Sequence, residues 1–501
     1  MTAPVVVRGR NLGGMVSVEL EPKVPDTLAG EDGDAGGAGD GAERDDRPVS
    51  TRSMYRKVIN LSWPVITQNL LETLVGVVDT ILVARLGAAA IAGVGTALQV
   101  NFFLLAILSA VTVGASIMVA HAIGARDKIG AQRVAKQAIV WGLLGSLPLT
   151  VLGALGASTV IGAFGVAPDV AKVGADYLRI TMFALPGLLL VFVGGAILRG
   201  AGDTRTPLLV GILNNVLNAG LAYGLIYGHF GLPTLGVNGS AWAAATGRIV
   251  GAVVLLVVLV RGREALALRG WSDWWPRFAA VRRVLQLGVP AAIEQTLIAT
   301  AFTMLTVIIA TLGTLDLAAQ RISFNALSVG FLPGIGFSIA TSTLVGQSLG
   351  AGRPQEARAA ARAAAGWVML WMALMATVFL TCAVPIMRLF TADSAVIDLG
   401  ARSLRVLALA LPLWGMGFVW AGALRGAGNT RLPLIFNAVG MWLGVGLSFA
   451  LVRLVEPSLP LVWAVCLPGW ALNALGVWIG FRRDDLQKLT GKRPVPVPIE
   501  A

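Results

Sequence analysis

The chain has 501 residues, of which 56% are hydrophobic and only 13% charged, about half the charged share of a soluble domain, so lipid and not water is the expected solvent. The net charge of +12 would suit nucleic acid, but the basic residues fall in alternate connections between apolar runs and form no continuous patch. Cys382 and Cys466 both lie in apolar stretches, and His121 and His229 stand apart, which excludes a disulfide framework or a metal constellation.

Residues 1–55 are read as a disordered cytoplasmic tail, because Ala29–Asp46 is rich in glycine and acids. No basic start followed by an apolar core opens the chain, so no cleavable signal peptide is expected. Twelve apolar segments follow, at 58–83, 92–121, 137–157, 179–198, 207–227, 239–260, 284–311, 317–345, 364–385, 402–424, 432–452 and 461–481. Each is near the ~20 residues that cross a bilayer as a helix. They are continuous, unlike the short alternating strands of a β-barrel. The expected fold is an all-α polytopic membrane protein with twelve transmembrane helices. Residues 56–260 form one six-helix bundle, 261–283 a cytoplasmic linker, 284–481 a second bundle and 482–501 a cytoplasmic tail. In the linker Trp271, Trp274 and Trp275 among arginines suit either an amphipathic stretch at the headgroups or a solvated loop.

Lys and Arg are distributed unequally. With a cytoplasmic N-terminus, the inner connections hold 22 and the outer ones 4, or 8 when Arg179, Arg321, Arg402 and Arg405 in the first turns of spans are included. The asymmetry predicts both termini on the cytoplasmic side of the inner membrane.

Leu198–Leu208 reads LRGAGDTRTPL and Leu424–Leu434 reads LRGAGNTRLPL, nine of eleven positions matching at a spacing of 226. The same spacing pairs Pro64 with Pro290, Gly124-Ala125 with Gly350-Ala351, and Pro186 with Pro412. One offset across half a chain marks a duplication. Six spans return the chain to its starting side, so the two units share an orientation and are related by a pseudo-two-fold axis along the membrane normal. Two such bundles enclose a central cavity that rocking exposes to either side. In the LRGAG segments Arg199 and Arg425 are expected to meet lipid phosphates or to cap carbonyls. The segments lack the glycine order and lysine of a nucleotide loop, so neither ATP nor any cofactor is expected.

Ionisable groups within spans are costly and default to function. Gln68, Glu72 and Asp79 lie within about 40° of one another on the first helix, making one polar stripe that faces the bundle interior. It is either a cation or proton site or a structural hydrogen-bond network. Glu294 occupies the position of Gln68 in the second unit, while Asp79 and Glu72 are matched by Leu305 and Ile298. One half then couples to ions and the other shapes the substrate path. The fifth span adds Asn214, Asn215 and Asn218, and the sixth adds Thr246 and Arg248. Arg248 sits near mid-span and is expected to face an acid or a wet cavity. Gln68, Glu294, Asn215 and Arg248 are assigned to the substrate path. Gly220/Gly224 and Gly247/Gly251 have the spacing of close helix packing.

From about residue 55 to 485 the chain resembles the multidrug and toxic compound extrusion family. The resemblance rests on Pro64 with Val78-Asp79-Thr80, LGAAAIAGVG at 86–95, LRGAGDTRTP, NNVLNAGL at 214–221, LAAQRI at 317–322 and LVGQSLGAG at 344–352. It implies two six-helix bundles in a V shape that export cationic or amphipathic small molecules in exchange for H⁺ or Na⁺. Asp79 falls on the family's first-helix acid, implicated in ion coupling, and Asn218 and Thr246 fall on an Asn and a Thr that join it in some members. Glu72 is added to that set from the stripe. Ala222 stands where those members carry a second acid. Ile298 stands where other branches carry a glutamate, and their tenth-helix acid has no counterpart at 402–424. A lone acid favours proton over sodium, which needs several oxygen ligands in a cage. The expected protein is a non-enzymatic antiporter, a monomer among membrane lipids with no nucleic-acid partner. The alternative is a flippase for lipid-linked oligosaccharides, which would need more basic residues in its cavity than Arg248 supplies.

Overall fold

A computed structural model describes residues 51–262, 266–270, 272–454 and 457–483. The expected N-terminal tail therefore lies almost wholly outside the described residues, as do Trp271 and the chain beyond Arg483. Among the described residues are fifteen α-helices. The first half contains α1 (Thr51–Ala84), α2 (Ala88–Gly124), α3 (Lys128–Leu155), α4 (Ala157–Gly162), α5 (Pro168–Phe183), α6 (Leu185–Ala201), α7 (Arg205–Tyr227) and α8 (Val237–Arg261). The second contains α9 (Phe278–Ala310), α10 (Thr314–Gly350), α11 (Pro354–Thr381), α12 (Ala383–Arg388), α13 (Ser394–Gly426), α14 (Arg431–Leu454) and α15 (Leu459–Arg483). The bounds of α2, α3 and α4 become those of α10, α11 and α12 on adding 226. A shorter loop before α15 moves the last helix pair to an offset of 222.

Eleven helices are long and apolar enough to cross a membrane, and α5 with α6 makes a twelfth span bent by 53°. The fourth span, expected over 179–198, is thus a broken helix that begins at Pro168. Pro186 removes a backbone donor at the break, and the glycine after it, Gly187, weakens the turn further. The matching Pro412 is followed by Leu413 and lies inside the unbroken α13.

The LRGAG segments are helix-to-helix turns. Gly202 closes α6 at φ 98° and Gly428 adopts φ 83°, the left-handed conformation that suits glycine. Asp203 then caps α7, its Oδ1 accepting from the amides of Arg205 and Thr206 at 3.1 and 2.9 Å.

The first helix of each half packs into the other half. Met54 and Val58 of α1 are buried in the core of the second half, and Val284 of α9, the mate of Val58, is buried in the core of the first. Around this crossing the backbones touch. A Cβ at Gly114 would strike the Val284 carbonyl, one at Gly288 the Ala110 carbonyl, and one at Gly336 the side chain of Ile66. The halves are sealed at the end that carries the α2–α3 and α10–α11 turns, as small residues allow. Of the two expected glycine pairs, Gly247 and Gly251 pack α8 against α7, whereas a Cβ on Gly220 would meet nothing.

The linker between halves is short, because α8 runs to Arg261 and α9 begins at Phe278. Its described residues are not a free loop, since α3 holds their carbonyls. Lys136 on α3, only 2% exposed, donates to the carbonyls of Arg269, Gly270 and Ser272 at 3.0, 3.0 and 2.9 Å. Gln137 donates to the carbonyls of Asp273 and Trp275, both at 2.7 Å, and accepts from the Arg277 amide at 2.8 Å. Trp274 packs on the first-half core, while Trp275 is exposed. Hydrogen bonds from a charged donor contribute about 1.5–3 kcal/mol each, so Lys136→Ala is expected to release the linker. Limited trypsin digestion at Arg269 and Arg277 should then accelerate at least tenfold, with little change in the rest of the digest.

Candidate functional site

The polar stripe of α1 faces α7. Gln68 packs beside Gly211 and donates to Glu72 Oε1 at 3.0 Å. Glu72 is exposed and lies within range of the Arg199 charge. Two turns further on, Asn218 Nδ2 donates to Asp79 Oδ2 at 2.8 Å. The other oxygen of Asp79 is buried and has no protein partner, and the same holds for Asn218 Oδ1, Asn214 Oδ1, Asn215 Nδ2 and Arg248 Nη1. Asn214 and Asn218 share one face of α7, four residues apart. Gly247 of α8 sits against Asn214, so Thr246 and Arg248 flank that contact on opposite sides. The charge of Arg248 is near enough to act on both Asp79 and Tyr177 of α5. Thr246 makes no hydrogen bond to Asp79 or Asn218. Buried polar atoms nearly always find partners, so this cluster of unsatisfied donors and acceptors has the chemistry of a site for a proton, a small cation or water.

The corresponding region of the second half is apolar. Leu305 replaces Asp79, Gly440 and Gly444 replace Asn214 and Asn218, and at the shifted offset Trp470 replaces Arg248. Gly440 lies against the Gly469 backbone and Gly444 against Cys466.

Glu294 is placed differently from the first-half acids. It is 3% exposed, and both its oxygens accept from Arg425 Nη1, at 3.0 and 3.1 Å. Asn437 donates to it at 2.6 Å and itself accepts from Asn473 at 2.7 Å. Arg425 also donates to Ser338 at 3.2 Å. The expectation that Arg425 meets lipid phosphates or caps carbonyls is therefore corrected. A deep acid lies within its reach, and inside an apolar bundle the ion pair outcompetes a distant headgroup. Arg199, its mate, makes no such ion pair, although its charge is near enough to Glu72 to act on it.

The MatE family profile matches residues 64–224 and again residues 290–450, the second interval displaced from the first by 226. The chain belongs to the MatE family. It is 30% identical over 441 residues to the probable multidrug resistance protein NorM of Thermotoga maritima, covering 87% of this chain and 91% of that one. It is 28% identical over 407 residues to the multidrug resistance protein PmpM of Pseudomonas aeruginosa, covering 80% and 84%. Among solved structures, one described as the outward-facing conformation of a multidrug resistance MATE family transporter superposes with a TM-score of 0.81 at 23% identity, over 87% of this chain and 96% of that one. MatE proteins are transporters, so the fold serves passage of a solute and not catalysis.

In this MatE chain Ala222 is fully buried with Ile226 and Ala243, so packing fills the place of the missing second acid. The sequence argument overlooked Arg425, Asn437, Asn473 and Ser338 around Glu294, and Tyr177 beside Arg248. The repeat held a signal for the first of these, since Glu294 and Arg425 occupy the offset positions of Gln68 and Arg199. Removing one partner of a buried ion pair costs about 3–5 kcal/mol. Glu294→Ala is therefore expected to lower thermal stability far more than Glu294→Ala with Arg425→Ala together, measured on the purified protein by a thermal-shift assay.

Proposed function

We propose that this MatE protein is a secondary active multidrug efflux antiporter of the bacterial inner membrane. It exports organic cations or amphipathic compounds in exchange for H⁺ by alternating access. The observation that carries this reading is Asp79, held on one side by Asn218 while its second oxygen is buried without a partner. A bare carboxylate oxygen in a low-dielectric site has to be neutralised. An exchangeable proton does this with one ligand, whereas sodium needs a cage that Ala222 leaves without a second acid. The exposed Glu72, the Asn214–Asn215 pair and Arg248 line the way to Asp79 and would hold the solute or the water that carries the proton. Both termini are cytoplasmic, as the imbalance of basic residues requires, which makes the sealed end the cytoplasmic one and the pocket accessible from outside.

Asp79→Asn keeps the size and hydrogen bonding of the side chain but cannot exchange a proton. It is expected to abolish ethidium efflux from a pump-deficient bacterium at normal expression, and undiminished efflux would remove Asp79 from the mechanism. In proteoliposomes a pH gradient without sodium is expected to drive transport. If a sodium gradient drives it at clamped pH and the pH gradient does not, the coupling ion is sodium.

A further inference from the structure

Among the described residues, side-chain hydrogen bonds of His121, Gln347 and Thr343 cross between the halves at the sealed end, and the first two are the same contact seen twice. His121, in the last turn of α2, sits with Nε2 at 2.7 Å from the carbonyl of Gly426 at the end of α13. Gln347, in the last turn of α10, donates from Nε2 to the carbonyl of Gly200 at the end of α6, at 2.9 Å. The donor positions differ by 226 and so do the acceptor positions. The third bond, from Thr343 to the Arg199 carbonyl at 3.2 Å, has no mate, because the matching residue is Ile117.

We propose that His121 and Gln347 form a two-fold latch that holds the sealed end shut and sets the ratio of sealed to unsealed states. The acceptors are terminal-turn carbonyls that their own helices leave unsatisfied, so they are free to be bound across the interface and released to water. The donors stand beside the pseudo-two-fold axis. A Cβ at Gly350 would strike the His121 carbonyl and one at Gly124 the Gln347 carbonyl, so α2 and α10 meet at these residues and neither bond survives their separation. Only the Nε2–H form of the imidazole can donate, which fixes His121 as that tautomer or as the cation. Each acceptor directly follows an arginine, and Arg425 is ion-paired with Glu294 of its own half. A change at Glu294 therefore bears on the helix end that His121 holds. The inference rests on alternating access but not on the identity of the coupling ion.

The test uses full-length protein in lipid nanodiscs with a reporter cysteine at Ala120. That residue is 1% exposed and packs against Gly346 of the other half. Native Cys382, exposed at the opposite end, is the internal reference, and mass spectrometry separates the two sites. When closing outruns labelling, the rate of modification by a bulky maleimide follows the unsealed fraction. A neutral hydrogen bond shifts such an equilibrium about three- to tenfold. His121→Ala and Gln347→Ala are each expected to speed labelling at position 120 by that factor, and the pair by about the product, with Cys382 unchanged. His121→Gln, which copies the other half, should stay within about twofold of the parent. The proposal is overturned if the alanine variants leave the rate unchanged, if only one of them acts, or if His121→Gln behaves as His121→Ala. No ion gradient or substrate is present, so the result does not depend on whether Asp79 couples transport to protons.

Discussion

Inside apolar helices a polar or ionised group has only the protein to turn to, and this constraint organises the rest of the structure. It draws Arg425, Asn437 and Asn473 into one network around Glu294. It directs the ammonium of Lys136 onto three linker carbonyls. The constraint is left unmet at Asp79 and the asparagines of α7, whose buried polar atoms keep a vacant valence. Both carboxylate oxygens of Glu294 have partners, whereas Asp79 keeps one oxygen without any.

Duplication supplies two copies of every helix, and the two halves use their copies differently. The helix bounds, the glycine turns and the crossing of α1 and α9 repeat closely. The pocket does not, because leucine, glycine and tryptophan stand in the second half where aspartate, asparagine and arginine stand in the first. The shared features are those that hold the two halves together, and the divergent ones are those that would handle ion and solute. Such a division suits the alternating-access antiport proposed above, with binding confined to one of two similar bodies.

The seal and the pocket are joined through short stretches of chain. Gly200 and Gly426 accept hydrogen bonds across the interface, and each directly follows an arginine, of which Arg425 is ion-paired with Glu294. The LRGAG segment is therefore a C-cap, an electrostatic partner and a cross-half acceptor within five residues. That concentration of roles explains why it is the most exact repeat in the chain.

Some of this was determined by the sequence alone. Apolar length set the number of spans, the constant offset set the duplication, and the spacing of Gln68, Glu72 and Asp79 set one polar face on α1, because these follow from helix geometry and local solvation. The partners did not follow. Arg425 ends a span and so suits a surface position, and only the shared packing of α10 with α13 and of α14 with α9 brings it within 3.0 Å of Glu294. Nothing local distinguishes Pro186 from Pro412, yet one breaks its helix and the other does not. His121 looked like an isolated histidine until α2 met α13. Periodicity tells which face of a helix a residue occupies, but which residue stands opposite depends on contacts between segments more than a hundred positions apart, and those exist only once the two halves have closed on each other.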